Sequence, residues 1–182
     1  MARIFLIRHG EAAKGEHIPD PILTDEGYKQ AEELALKLST LEKVQLISSP
    51  KLRAQQTAKP LAEVWDIEVV IENAVTEIPT PEEIPKAQRL TWLRTLLTGE
   101  WDPCDREQKD WRDGIIRYLE SLSEDTFIFC HFMVINSVVA HIRNHQKVQQ
   151  FRPDYTSITE LKNDGTKLHL VQLGEEKDNK VL

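Results

Sequence analysis

Hydrophobic residues along this chain come in two rhythms. Short unbroken runs, Ile4-Phe5-Leu6-Ile7 and Phe127-Ile128-Phe129-Cys130, stop abruptly at polar residues, which is how strands buried on both faces of a sheet read. Other stretches show helical spacing. Ala31, Leu34, Ala35 and Leu38 follow Thr24-Asp25-Glu26-Gly27, where Thr24 is the expected N-cap. Residues 44–49 predict a second strand, 50–65 a second helix and 67–71 a third strand. Pro79, Pro81 and Pro85 break up the next stretch, after which helical periodicity returns at 90–97 and 111–122. The Phe127 strand runs into an apolar helix reaching about residue 145, and 157–161 and 168–173 form a hairpin around Asn163-Asp164-Gly165. Residues 175–182 are polar and read as a frayed tail. Strands and helices alternate without repeat or linker, the pattern of a single α/β domain over 1–182.

Composition narrows the class. A chain of 182 residues, 40% apolar and 29% charged, can bury a sizeable core and is of ordinary soluble type. No apolar segment approaches membrane-spanning length and no basic leader precedes the first strand, so a cytoplasmic enzyme is the expectation. Two cysteines, Cys104 and Cys130, make no disulfide framework, and Cys130 reads as a small buried strand residue. A net charge of −7 argues against a nucleic-acid footprint. Any anionic substrate must therefore be held by local arginines.

Three strand ends carry the chemistry. Arg8-His9-Gly10 follows the first apolar run, placing a planar cation, an imidazole and a residue without a side chain where open α/β sheets bind ligands. Ser48-Ser49-Pro50-Lys51-Leu52-Arg53 sits at the next strand-to-helix junction, where a serine cap, free helix amides and Arg53 would form an anion site. His131 repeats the geometry of His9 after the Phe127 strand. Two histidines and two arginines on one sheet edge suit a phosphoryl group better than a metal. A neutral histidine can attack phosphorus while guanidiniums stabilise the oxygens, and the arginines would lower the pKa of His9.

These residues resemble the histidine phosphatase superfamily, which includes the cofactor-dependent phosphoglycerate mutases. The resemblance rests on Arg8-His9-Gly10-Glu11, Leu23-Thr24-Asp25-Glu26-Gly27 with Gln30-Ala31, Ser48-Ser49-Pro50 through Arg53 to Gln56-Thr57-Ala58, and His131 after a buried strand. It implies a phosphoglycerate mutase-like three-layer αβα sandwich with a mostly parallel central sheet. It implies phosphatase activity on a small phosphomonoester or a phosphoprotein through phosphorylated His9, with Arg8, Arg53 and His131 holding the phosphate and no metal or organic cofactor. Glu77 resembles the family's acidic residue, its pKa raised by apolar neighbours; Glu82 and Glu83 compete for the role. A phosphoglycerate mutase or a phosphohistidine-protein phosphatase are the enzymatic alternatives, and a non-catalytic phosphate-binding domain the other. The sequence departs from the family pattern at Phe132, where glycine is common, and at Asn136, where arginine is frequent. Phe132, Asn136, Arg152 and Ser157 are the candidate substrate contacts. Oligomeric state is not legible.

Other features take the plainer reading. His141 and His145 are spaced i, i+4 but lack the glutamate of a zinc motif, so they read as a surface pair. His17 reads as a solvated loop histidine, Trp65, Trp92, Trp101 and Trp111 as core or lid packing, and Arg89, Arg94, Arg106, Lys109 and Arg112 as a solvated helical face.

Overall fold

The computed structural model describes residues 1–15 and 18–177; His17 and the last five residues of the polar tail lie outside the described residues. The first apolar run forms β1 (Ala2–Arg8). Along it the side chains alternate between two cores, Ile4 and Leu6 facing one and Phe5 and Ile7 the other. The same alternation runs through β2 (Gln45–Ser48) and β4 (Thr126–Cys130). β3 (Val69–Ile71) pairs with β2, while β5 (Ile158–Asn163) and β6 (Leu168–Gln172) form the expected hairpin. The sheet order is β3-β2-β4-β1-β5-β6, with the first four strands parallel and the last two antiparallel.

Helices cover both faces. α1 (Asp25–Leu38) and α2 (Leu52–Trp65) bring Leu34, Leu38, Ala58, Leu61 and Trp65 onto Ile7, Phe127 and Phe129. α4 (Arg106–Glu120) and α5 (Phe132–Arg143) close the other face with Ile115, Leu119, Val134 and Val138 over Leu6, Ile47 and Ile128. This is the expected three-layer sandwich. A third cluster lies outside the layers, where α3 (Arg89–Leu97) and the 99–104 turn pack Leu93 and Trp101 with Ile78 on Phe132 and Met133. Trp65 and Trp101 are core residues, as the sequence implied.

Local chemistry sets the element ends. Thr24 caps α1, its Oγ accepting from the Gly27 amide at 3.0 Å, with Asp25 and Glu26 at the positive end of the helix dipole. α2 starts at Leu52 rather than at Pro50, because Lys51 is still extended and no side chain of the chain's own serines caps the helix. The Leu52 amide is instead taken by the Asp20 carboxylate at 3.1 Å. The tail is also less frayed than its polarity implied. Residues 175–177 pair with the 152–154 segment through Asp154 N to Glu175 O at 2.9 Å and Lys177 N to Arg152 O at 2.8 Å.

The segment following β1 is fixed against the start of α1. The Glu11 amide donates to Gln30 Oε1 at 2.7 Å, the Thr24 hydroxyl to Glu11 Oε1 at 2.9 Å, and the Leu23 amide to Gln56 Oε1 at 2.9 Å. Gly10 and Gly27 abut, since a Cβ on Gly10 would stand 2.8 Å from the Gly27 carbonyl oxygen and one on Gly27 would collide with the Glu11 carbonyl. Gly27→Ala is expected to lower stability by about 1–3 kcal/mol through overpacking at this contact. A urea denaturation midpoint unchanged from wild type would contradict the close approach.

Candidate active site

The site lies where the parallel strands end. β1 and β4 run in register, Arg8 opposite Cys130, so the next residues, His9 and His131, emerge side by side. The His9 amide extends the ladder by one bond, to Cys130 O at 3.0 Å, and the two rings stand 5.3 Å apart at 62°. Ser49 leaves β2 in the same layer, its amide on Phe129 O at 2.9 Å. From the end of β3 the Glu72 amide returns to Ser48 O, a 3₁₀ turn follows (Asn73–Val75), and Glu77 comes over the same edge. The neighbours of β1 in sequence and in the sheet differ, because β4 inserts between β1 and β2, and that order reversal opens the crevice.

Hydrogen bonding assigns the tautomer of His9. His9 Nδ1 is 2.7 Å from Gly10 O, an acceptor only, so Nδ1 carries the proton. His9 Nε2 then presents its lone pair, and Arg53 Nε donates to it at 3.3 Å. Ser49 Oγ accepts from the Lys51 amide at 3.2 Å and lies 2.8 Å from His131 Nε2. With the hydroxyl proton given to Nε2, the proton of His131 is on Nδ1, which is fully buried and unpartnered and stands 3.8 Å from Glu77 Oε2. Arg53 also reaches Glu77 Oε2, at 3.3 Å. Its backbone is held too, since Thr57 Oγ donates to Arg53 O at 2.7 Å and accepts from the Gly10 amide at 3.0 Å.

Arg8 is 4% exposed. It donates from Nη1 to Pro153 O at 3.0 Å, keeps an unpartnered buried Nε, and lies 4.2 Å from the Tyr155 ring and 5.3 Å from that of Phe132. Burial pushes the His9 imidazole well below its ordinary pKa, and His131, Arg8 and Arg53 push it further. His131 is lowered in the same way, by burial and then by Arg53, Lys51, Arg8 and Arg89. Both rings are therefore neutral.

Several expectations change. Burial does push the Glu77 carboxyl up, but Arg53, Arg89 and the Ile78 amide outweigh it, leaving Glu77 below the usual carboxylate range rather than raised. Glu82 and Glu83 are exposed. Arg89 is not on a solvated face: half-buried, it donates to Ile78 O at 3.3 Å and acts on Glu77 and His131. Asn136 is fully buried and committed to backbone, donating to Phe132 O at 3.1 Å and accepting from the Gln150 and Phe151 amides at 2.7 and 3.1 Å. It pins the 150–151 segment rather than facing a ligand. Phe132 packs on Arg8 and the Trp101 cluster, Ser157 is buried with an unpartnered Oγ, and Arg152 is exposed with its amide on Glu176. Ser49 and Tyr155, 6.3 Å from His9 ring to ring, are site residues that the sequence reading did not single out in those roles. His145 Nδ1 accepts from the Lys147 amide, and among the described residues no three His, Cys, Asp or Glu side chains gather as a metal site.

The profile of the Histidine phosphatase superfamily (branch 1) matches residues 4–176. The chain is 35% identical over 83 residues to phosphoserine phosphatase 1 of Hydrogenobacter thermophilus, across 43% of this chain and 39% of that protein. It is 29% identical over 135 residues to a probable phosphoglycerate mutase of Enterobacter sp. (strain 638), across 68% and 63%. The match thus spans less than two thirds of either relative. Phosphoserine phosphatase from Entamoeba histolytica, solved in complex with 3-phosphoglyceric acid, has a TM-score of 0.75 at 24% identity, covering 97% of this chain and 98% of that one. Bacillus stearothermophilus YhfR has a TM-score of 0.78 at 19% identity with the same coverage. At these identities the structures speak for the fold.

The neutral histidines fix how stability responds to pH. Their folded pKa values lie below those of the unfolded chain, so below about 6.5 the unfolded state binds protons that the folded state does not, and stability falls as pH falls. Glu77 adds to the loss at lower pH, through the carboxylate range. The urea midpoint is expected to be lower at pH 5.5 than at pH 7.5, and a His9→Gln/His131→Gln chain is expected to lose most of that difference. Equal pH responses in both chains would refute the buried-neutral assignment.

Proposed function

Because the chain belongs to the histidine phosphatase superfamily, we propose that it is a phosphoric monoester hydrolase whose nucleophile is His9 Nε2, working as one domain over 1–182 in the cytoplasm. One observation carries this reading: His9 donates its Nδ1 proton to Gly10 O, which leaves the Nε2 lone pair, shared in the free site with Arg53 Nε, beside Arg53 and His131. The relatives named as phosphoserine phosphatase and phosphoglycerate mutase point to a small phosphorylated metabolite as substrate.

In the first step the phosphoryl oxygens sit among Arg8, Arg53 and the Nδ1 edge of His131, with Arg53 exchanging Glu77 for the phosphoryl group, and these groups stabilise the charge that develops. Nε2 attacks phosphorus, the bond to the leaving oxygen breaks, and that oxygen takes a proton from Glu77. Glu77 can serve although it is ionised in the free site. A bound phosphoryl dianion competes for Arg53 and repels the carboxylate, and both effects raise its pKa. Water then attacks phosphorus, gives its proton to Glu77, and releases inorganic phosphate with His9 restored. Phe132 and the Trp101 cluster shield this exchange from bulk water on the Arg8 side.

Hydrolysis of p-nitrophenyl phosphate with chelator present tests the nucleophile: turnover is expected in the wild type and is expected to vanish in His9→Ala, and activity surviving in His9→Ala would sink the assignment. For the acid, Glu77→Gln is expected to slow phenyl phosphate by about 10²–10⁴-fold and p-nitrophenyl phosphate much less, because the nitrophenolate leaves without a proton. Equal losses on the two esters would remove Glu77 from that role. Phosphoglycerate interconversion exceeding hydrolysis would transfer the chain to the mutase class.

A further inference from the structure

Arg8 enters the site from the end of β1, yet nearly everything that fixes it comes from the far end of the chain. The turn after Pro153 wraps its backbone: the Arg8 amide donates to Ser157 O at 3.2 Å, and the Thr156 amide donates back to Arg8 O at 2.9 Å. Pro153 O takes Nη1 at 3.0 Å, and the Tyr155 ring lies under the guanidinium at 4.2 Å. That turn is strained. Thr156 sits at φ +56°, a left-handed conformation that a β-branched residue adopts only when its surroundings impose it.

The hydrogen bonds from the Thr156 amide to Arg8 O and from the Ser157 amide to Asp154 O hold that conformation, and the segment 175–177 braces the residues that lead into it. The backbone bonds of this segment hold Arg152 and Asp154, the Glu176 carboxylate accepts from the Arg152 amide at 3.2 Å, and Lys177 Nζ rests 4.0 Å from the Tyr155 ring centroid. The ring of Tyr155 therefore takes two cations, Arg8 from the phosphate pocket and Lys177 from the 175–177 segment, and its centroid stands 6.3 Å from that of the His9 ring. Gly174 makes the approach feasible, since a Cβ there would stand 3.0 Å from Ile158 O.

We propose that residues 175–177 are a strap that positions the Arg8 guanidinium through the 153–157 turn and the Tyr155 ring, so that Glu176, Lys177 and Tyr155 are positioning residues for phosphate binding. This rests on the reading of Arg8 as a phosphate clamp. The strap would hold the buried guanidinium, whose Nε has no partner, in one orientation for an anion. A freely rotating Arg8 would have to be ordered at binding, and preorganisation removes that cost.

The test is titration calorimetry of the full chain with inorganic phosphate, alongside p-nitrophenyl phosphate kinetics. Tyr155→Leu and Glu176→Ala are each expected to weaken phosphate binding by about threefold to tenfold, the scale of one cation–π or exposed polar contact. KM should rise by the same factor with kcat within about twofold of wild type, and Tyr155→Phe, which keeps the ring but loses the hydroxyl that also reaches Arg8, should bind phosphate more tightly than Tyr155→Leu. In an Arg8→Ala background Tyr155→Leu should cost nothing further. Unchanged affinity in Tyr155→Leu and Glu176→Ala while Arg8→Ala loses binding would overturn the strap alone, as would an additional loss in the Arg8→Ala background or binding in Tyr155→Phe no tighter than in Tyr155→Leu. Unchanged affinity in Arg8→Ala itself would overturn the phosphate-clamp reading, and the strap with it.

Discussion

The parallel register of β1 against β4 is the constraint from which the site follows. With Arg8 opposite Cys130, the two strands deliver His9 and His131 to the same edge with their rings in contact, and neither ring needs a long side chain to get there. Short, rotamer-poor side chains at strand ends are placed by the backbone, so their geometry is as rigid as the sheet. The apolar alternation that buries β1 and β4 between two helical layers thus does two things at once. It supplies the core and it sets the distance between the two imidazoles.

Electrostatics then decides the protonation states. Two guanidiniums and two imidazoles within one buried pocket cannot all be charged, and arginine does not give up its proton at ordinary pH. The imidazoles yield. Burial is the largest influence that drives them neutral and the arginines reinforce it, while Gly10 O keeps the proton of His9 on Nδ1. Asp20 and Glu77 offset part of the positive charge from opposite sides of Arg53, at 4.0 and 3.3 Å. A pocket built this way is positive and suits an anion, and it keeps the His9 Nε2 lone pair against Arg53 rather than protonated.

How much of this was legible depended on the range of the contacts involved. β1 and β4 announce themselves through unbroken apolar runs, α1 through its cap and periodicity, and the hairpin through Asn163-Asp164-Gly165, all of which are local signals. Arg8, His9, Arg53, Glu77 and His131 could be collected because each follows such an element. What stayed hidden was set by contacts across long sequence gaps. Asn136 looks like a free amide until Gln150 and Phe151 occupy it, and Arg89 belongs to a charged stretch until Ile78 draws it toward Glu77. Polarity alone made residues 175–177 look like a tail, although their bonds are mostly backbone bonds, to which side-chain polarity is blind. The pKa of Glu77 was misjudged for the same reason, since apolar neighbours are local in sequence and the two arginines are not.

The position of Arg53 links these parts into one cycle. It donates to His9 Nε2 from Nε and to Glu77 Oε2 from Nη2, so in the free site it holds the two together at a single guanidinium. An arriving phosphoryl group offers a better partner, with two or more anionic oxygens against one carboxylate, and the fork geometry of guanidinium suits it. Transferring Arg53 from Glu77 to the phosphoryl group would strip the carboxylate of its main counter-charge while setting a like charge beside it. Desolvation, already the largest single influence on Glu77, would then be opposed only by the smaller effects of Arg89, the Ile78 amide and His9. The same side chain that keeps the acid ionised in the empty pocket would thereby let it take up a proton only when there is an ester to receive it.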